Sequence, residues 1–202
     1  MPIIESSLSV LLTWGIVGYL LGSIPSGVIL ARVMGLGNLR DIGSGNIGAT
    51  NVLRTGNKTA AAATLLLDAA KGVVAVLLAR AFASDDAVQL AALMAFLGHC
   101  FPVWLAFKGG KGVATFFGIT LALSWPVGLA SCVTWLVVAA TFRFSSLAAL
   151  MAAGLAPVWA VFLGSGTMAL LCFILAILVY SRHLTNIRRL REGTEPKLRE
   201  KS

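Results

Sequence analysis

Glycines, hydroxyls, amides and arginines crowd into one stretch of this chain: Arg40-Asp41-Ile42-Gly43-Ser44-Gly45-Asn46-Ile47-Gly48-Ala49-Thr50-Asn51-Val52-Leu53-Arg54. Glycines let successive backbone N–H groups turn toward one point, which makes a nest for an anion. Ser44, Asn46, Thr50 and Asn51 add neutral donors to the nest of Gly43 and Gly45, and Arg40 and Arg54 add positive charge. The chemistry this suits is holding a phosphate. Gly43, Gly45 and Gly48 also match GxGxxG, but a dinucleotide site needs that pattern between a strand and a helix. Here apolar helical segments flank it. The plainer reading is a tight polar loop without a ligand. Upstream, Gly22-Ser23-Ile24-Pro25-Ser26, within the first apolar run, belongs to the same constellation.

A second constellation is Lys108-Gly109-Gly110-Lys111-Gly112-Val113-Ala114-Thr115. Small residues lead into a helix whose first N–H groups and dipole favour an anion, with Lys111 as a point charge. It is not a P-loop, because Gly112 follows Lys111 where Ser or Thr would stand. The alternative is a helix start flanked by two ordinary lysines. The third is His183-Leu184-Thr185-Asn186-Ile187-Arg188-Arg189, where His183 and Asn186, three apart, share a helix face. Beyond it, Glu195 in Gly193-Thr194-Glu195-Pro196-Lys197 is a partner for an arginine.

Two further polar groups lie inside apolar runs. Asp68 and Lys71 are three residues apart, and ionisable groups within a membrane are costly and paired or functional. A structural ion pair is expected, with Lys71 reaching the basic loops as the alternative. His99 either lines the same cavity as Lys108 or is a buried structural histidine.

The elements that position these groups are apolar helices. The chain has 202 residues, 58% of them hydrophobic and 12% charged, with mean hydropathy +0.90. A soluble domain carries about twice that charge. Spans of about 20 apolar residues are needed to cross a bilayer. Candidates run over 8–34, 59–82 and 88–107. The apolar signal at 113–142 is too long for one span, and Ser124-Trp125-Pro126 breaks it into 113–124 and 126–141. Two more follow at 146–163 and 167–181, split by Gly164-Ser165-Gly166. The expected fold is all-α: about seven transmembrane helices, some short, in a single domain over 1–202.

Net charge is +8, and the positive residues cluster at Arg32–Lys58, Lys108–Lys111, Arg143 and Arg182–Lys201. These all fall on one side if the N-terminus lies outside and the C-terminus in the cytoplasm. Five spans with two re-entrant segments would give the same sidedness. Charge between membrane spans points to anionic headgroups or small phosphate compounds rather than nucleic acid. Cys100, Cys132 and Cys172 sit singly in apolar runs and read as packing residues. No cleavable signal is expected, since the first apolar run continues past Pro25 without a small-residue cleavage site. Carboxylates and histidines do not cluster, so neither a metal nor another cofactor is expected. There is no GxSxG elbow, no Cys/His pair and no HxxxxD signature, which leaves no apparatus for a covalent acyl-enzyme.

Three signatures occur together and in order: GSxPSG with RDxGSGNxGATNxxR, HxFPxxxxFKGGKGVAT, and RHxxNxxRLxxGTEPK. In these the chain, from Gly22 to Lys197, resembles the acyl-phosphate-dependent glycerol-3-phosphate acyltransferases of bacterial phospholipid synthesis. The resemblance implies an enzyme of the bacterial inner membrane with its site facing the cytoplasm. It implies acyl transfer from acyl phosphate to the 1-hydroxyl of glycerol 3-phosphate, giving lysophosphatidic acid and phosphate. On this chain it implies that Ser23, Arg40, His183 and Asn186 act in the site. Gly109, Gly110, Lys111 and Gly112 would hold the phosphate of glycerol 3-phosphate, and Glu195 would support structure. Lys71, Lys108 and Thr115 are expected beside that phosphate site. A monomer embedded in membrane lipid is expected.

An acyl phosphate is already activated, so positioning and charge neutralisation suffice. Direct attack by the substrate hydroxyl is expected, with Ser23, backbone N–H groups or Asn186 on the oxyanion. The base is His183 or an oxygen of the acyl phosphate. The competing class is an organic-phosphate transporter, which also sets basic groups and broken helices near an anion. The side opposite the basic loops, with few polar residues, argues against it.

Overall fold

The computed structural model describes residues 2–198, so Arg199 and Lys201 of the basic tail lie outside the described residues. All regular structure in it is helical. Among the described residues five helical segments are long and apolar enough to cross a membrane, and a sixth counts if a pair bent by 65° is one span. One further apolar helix has 11 residues, about 16 Å of rise, roughly half a bilayer core. Against about seven transmembrane helices expected, the described residues hold five or six segments long enough to cross and one short apolar helix. The described residues form two compact units, 2–122 and 123–198.

In the first unit the expected opening span is broken. It becomes α1 (Leu8–Gly22) and α2 (Ser26–Val33), because Pro25 carries no N–H and Ser23 closes the first helix through bonds to Tyr19 O and Leu21 O. A loop with a short 3-10 turn at Leu39–Asp41 leads to α3 (Ala49–Val52). Then come α4 (Lys58–Phe82), α5 (Asp85–Cys100) and α6 (Val113–Leu123). Asn57 starts α4 by accepting the Ala60 N–H at 2.9 Å. The sequence extends the third span to Phe107, but α5 stops at Cys100. Phe101-Pro102 ends the helix despite its apolarity, and Ala106 and Phe107 take left-handed φ of 49° and 62° to turn the chain back.

Helix association in lipid rests on close packing rather than on a hydrophobic drive, and small residues permit it. The α1–α5 seam follows this rule. A methyl on Gly18 would run into Ala91 O, one on Gly22 into Ala95 O, and one on Gly98 into Tyr19 O. Tyr19 Oη caps the seam by donating to Phe101 O at 2.7 Å. A second close approach joins α4 to α6, where Gly118 faces Ala69 and Gly72 faces Thr115.

The second unit holds α7 (Trp125–Phe142), α8 (Ser145–Phe162), α9 (Ala169–Arg182) and α10 (Leu184–Arg191). Ser124-Trp125-Pro126 breaks the long apolar run as its sequence predicts, with Pro126 in the first turn of α7. Ser124 and Ser165 hydroxyls meet at 2.8 Å, and Trp159 Nε1 donates to Thr134 Oγ1 at 3.2 Å. Pro157 sits inside α8 without ending it, as membrane helices tolerate when neighbours absorb the freed carbonyl.

Candidate functional site

The first glycine loop is built on its own polar groups. Gly43 and Gly45 take left-handed φ of 53° and 66°, which a side chain would disfavour. Asn51 is buried, and its Oδ1 accepts the Ser44 N–H at 3.0 Å. Its Nδ2 donates to Leu39 O at 2.9 Å and to Asn46 O at 2.7 Å. Asn46 Oδ1 accepts the Ile47 N–H at 2.9 Å. Asn51 is therefore spent on shaping the loop and does not offer the free donor expected of it. Arg54 packs its side chain against Gly43, while Ser44 and Thr50 remain exposed.

Arg40 links the two glycine loops. Its guanidinium donates to Gly45 O at 3.3 Å and, by a short bond, to Lys108 O. A cleft of about 430 Å³ lies beside it, with Arg32 and Arg40 on its lining.

The second loop is held differently. The Gly109 N–H donates to Cys100 O at 3.0 Å and the Gly110 N–H to His99 O at 3.1 Å. These two amides are thus engaged with the end of α5 and are not the phosphate cradle that the sequence suggests. Their lack of a side chain is what counts. A methyl on Gly109 would meet His99 O and Pro102, and one on Gly110 would fall on the His99 imidazole. Gly112, at φ 82°, passes the Phe96 ring. The Phe116 N–H is bonded back to Gly112 O at 2.7 Å, so the N–H groups of 113–115 make the open end of α6. Lys111, half-buried, stands at that end. Thr115 is fully buried and its Oγ1 donates to Asp68 O at 2.9 Å, so it fastens α6 to α4 rather than facing the loop.

Between the loops lies a polar cluster in apolar surroundings. Lys71 Nζ is 2.9 Å from Asp68 Oδ1 and donates to Ile24 O at 2.8 Å. The expected ion pair is present, and Lys71 reaches the break between α1 and α2 rather than the basic loops. His99 Nδ1 lies 3.7 Å from Asp68 Oδ1. All three side chains are buried. Asp68 and His99 are absent from the catalytic and phosphate-binding sets expected from sequence, although polar residues inside apolar runs were the signal for them. Next to this cluster, Ser23 is fully buried, and its Oγ has no hydrogen-bond partner among the described residues. A buried hydroxyl without a partner costs free energy, which suits a group reserved for a ligand.

His183 and Asn186 belong to the second unit, at the bend between α9 and α10, and both are buried. His183 Nδ1 is 2.8 Å from Val179 O, which fixes the ring and its tautomer. Asn186 Nδ2 donates to Glu195 Oε1 at 2.6 Å. The same carboxylate accepts Ser146 Oγ at 2.6 Å and Arg189 Nε at 2.7 Å. Burial pushes the Glu195 carboxyl up, but the bonds from Ser146, Asn186 and Arg189 outweigh it and hold it below its usual range. Glu195 thus finds the arginine partner expected of it, and orients Asn186 as well. Among the described residues no group of three or more His, Cys, Asp or Glu side chains could hold a metal ion.

Apolar helices long enough to cross a bilayer, with two glycine-rich basic loops and a buried serine at a helix break, define an integral membrane protein. Comparison with known proteins is specific about which. The glycerol-3-phosphate acyltransferase family matches residues 12–193, and the chain belongs to that family. A glycerol-3-phosphate acyltransferase of Cereibacter sphaeroides is 61% identical over 202 residues, covering 100% of this chain and 96% of its own. One from Ruegeria sp. is 65% identical over 201 residues, with 100% of both chains covered. Among solved structures, the glycerol 3-phosphate form of PlsY (YgiH), an integral membrane glycerol 3-phosphate acyltransferase, superposes with a TM-score of 0.88. It is 37% identical, over 93% of this chain and 95% of that one. The lysophosphatidic acid form of PlsY superposes with a TM-score of 0.84 at 35% identity, over 93% and 94% of the two chains.

Proposed function

We propose that this protein acylates glycerol 3-phosphate at its 1-hydroxyl with a fatty acyl group taken from acyl phosphate. The glycerol oxygen attacks the acyl carbonyl carbon, the bond from that carbon to the phosphate oxygen breaks, and phosphate leaves. The hydroxyl proton passes to His183 or to an oxygen of the departing phosphate. Lysophosphatidic acid and phosphate are the products, and no acyl-enzyme forms. Acylation of glycerol 3-phosphate is supported by relatives named for that activity and matched over 96% and 100% of their own length. It is supported as well by a close structural neighbour seen with both glycerol 3-phosphate and lysophosphatidic acid.

The observation that carries the mechanism is Ser23, buried at a helix break with its hydroxyl uncommitted among the described residues. That hydroxyl donates to the oxyanion. Arg40, Arg54, Lys108 and Lys111 neutralise the phosphates, helped by the open end of α6. Positive charge on these loops favours the cytoplasmic face of the inner membrane.

The test is phosphate release by the purified protein in detergent, given palmitoyl phosphate with and without glycerol 3-phosphate. Release that needs glycerol 3-phosphate is expected, falling roughly a hundredfold or more in Ser23→Ala, the size of a lost oxyanion donor. Turnover of acyl-CoA but not of palmitoyl phosphate would overturn the donor. A folded sample inert to both would overturn the enzyme reading and leave a transporter.

A further inference from the structure

The geometry points to Asp68 as the hub of a positioning cluster that holds the Ser23 break and the second glycine loop in register for acyl transfer. This inference rests on the function proposed above. Three arms leave this one residue, which stands ten positions into α4, about 15 Å along its axis. Its carboxylate holds Lys71, whose Nζ continues to Ile24 O, the carbonyl next to Ser23. The same carboxylate faces His99 at 3.7 Å, and the His99 ring is the surface on which Gly110 rests. Its backbone oxygen accepts Thr115 Oγ1, which pins the first turn of α6.

Each arm ends on a segment that carries the proposed chemistry: the break, the glycine loop, or the helix mouth. A pair serving stability alone would need no such endpoints. Ile24 O accepts the Ser26 N–H at 3.1 Å across the Pro25 turn, and Lys71 Nζ is its second donor at 2.8 Å. This charged bond ties the turn to α4, and Asp68 neutralises the charge that comes with it. Ser23 is then held with its hydroxyl uncommitted. Lys71 acts through Ile24, not on the substrate. Neither Asp68 nor Lys71 is a catalytic residue in this scheme; both are positioning residues.

The test compares the wild-type protein with a double variant, Asp68→Leu with Lys71→Met, and with Thr115→Val. Replacing a buried ion pair by apolar groups of similar volume preserves folds, so the double variant isolates the strut from the stability of the pair. The expected result is a melting temperature near that of the wild type with kcat reduced roughly tenfold or more, as misplacement of reacting groups produces. KM for glycerol 3-phosphate should stay within roughly twofold, because ground-state binding is untouched. A kcat equal to that of the wild type in the folded double variant overturns the hub. A raised KM at constant kcat also overturns it and gives Lys71 to the substrate phosphate. If the double variant does not fold, Thr115→Val decides, since valine keeps the shape and loses only the hydroxyl. Lower kcat at constant KM supports the hub, and unchanged kcat overturns it. A wild-type protein that releases no phosphate would instead sink the proposed function itself.

Discussion

The two glycine loops resemble each other in sequence and differ in what makes glycine necessary. In the 40–54 loop the glycines supply left-handed backbone, and the loop is tied by its own Asn51. In the 108–112 loop Gly109 and Gly110 supply space, and the loop is tied by the last carbonyls of α5 and by the His99 ring. One loop is fastened by a side chain of its own, the other by the carbonyls that end the preceding helix. A glycine-rich basic stretch is therefore not one device. Its tolerance to change depends on whether the backbone angle or the missing side chain is being used.

The sharpest way to break this contrast is Gly110→Ala. Its methyl would fall on the buried imidazole, so the loop or His99 must move. Overpacking of this kind costs about 1–3 kcal/mol, and phosphate release should fall by roughly a hundredfold through the displaced loop. Near-normal turnover in Gly110→Ala would show that the close approach is not used. Asn51→Ala comes next. It leaves Leu39 O, Asn46 O and the Ser44 N–H without their shared partner, at about 1–3 kcal/mol, read as a lower melting temperature in detergent. Gly43→Ala should cost less, about 1–2 kcal/mol for a left-handed alanine; the Arg54 side chain can swing away, and Asn51 Oδ1, 2.8 Å from the added methyl, must shift slightly. Equal effects for Gly43→Ala and Gly110→Ala would erase the distinction between angle and space.

The smallest effect tests a third kind of fastening, by charge. Glu195 has a carboxyl held below its ordinary value of 4.5. A depressed folded value means that its stabilisation is fully present above that ordinary value and is lost as pH falls through the lower, folded one. Acid should therefore loosen the α8–α10 clasp of Ser146, Asn186 and Arg189, and leave the packing of Gly110 untouched. Melting profiles of the wild type and Glu195→Gln should converge as pH drops below 4.5.

Much of the helical frame was legible. Apolar length located α4, α7, α8 and α9 to within two residues, and the proline at 126 marked a true break. The break after Ser23 was present as Pro25 but was hidden by continuous apolarity on both sides. The overlong third span had the same cause: hydropathy does not distinguish Phe101–Phe107 in a helix from the same residues in a turn. Candidate site residues could be named from their motifs, but not the use of their donors. Gly109 and Gly110 looked like amides for a phosphate, and only tertiary contact shows those amides already bonded. Asp68 was legible as a costly charge, whereas its three-way role needs residues from α1 through α6 in place.

The α1–α5 seam has a consequence for how the protein is made. Gly18 and Gly22 fit only against Ala91 and Ala95, which are synthesised roughly 70 residues later, a delay of several seconds at ribosomal speed. Until then α1 waits in the bilayer without its mate, with Tyr19 unbonded and nothing to cover its glycine face. A nascent chain that ends before Asp85 thus carries α1 without the helix its glycines fit.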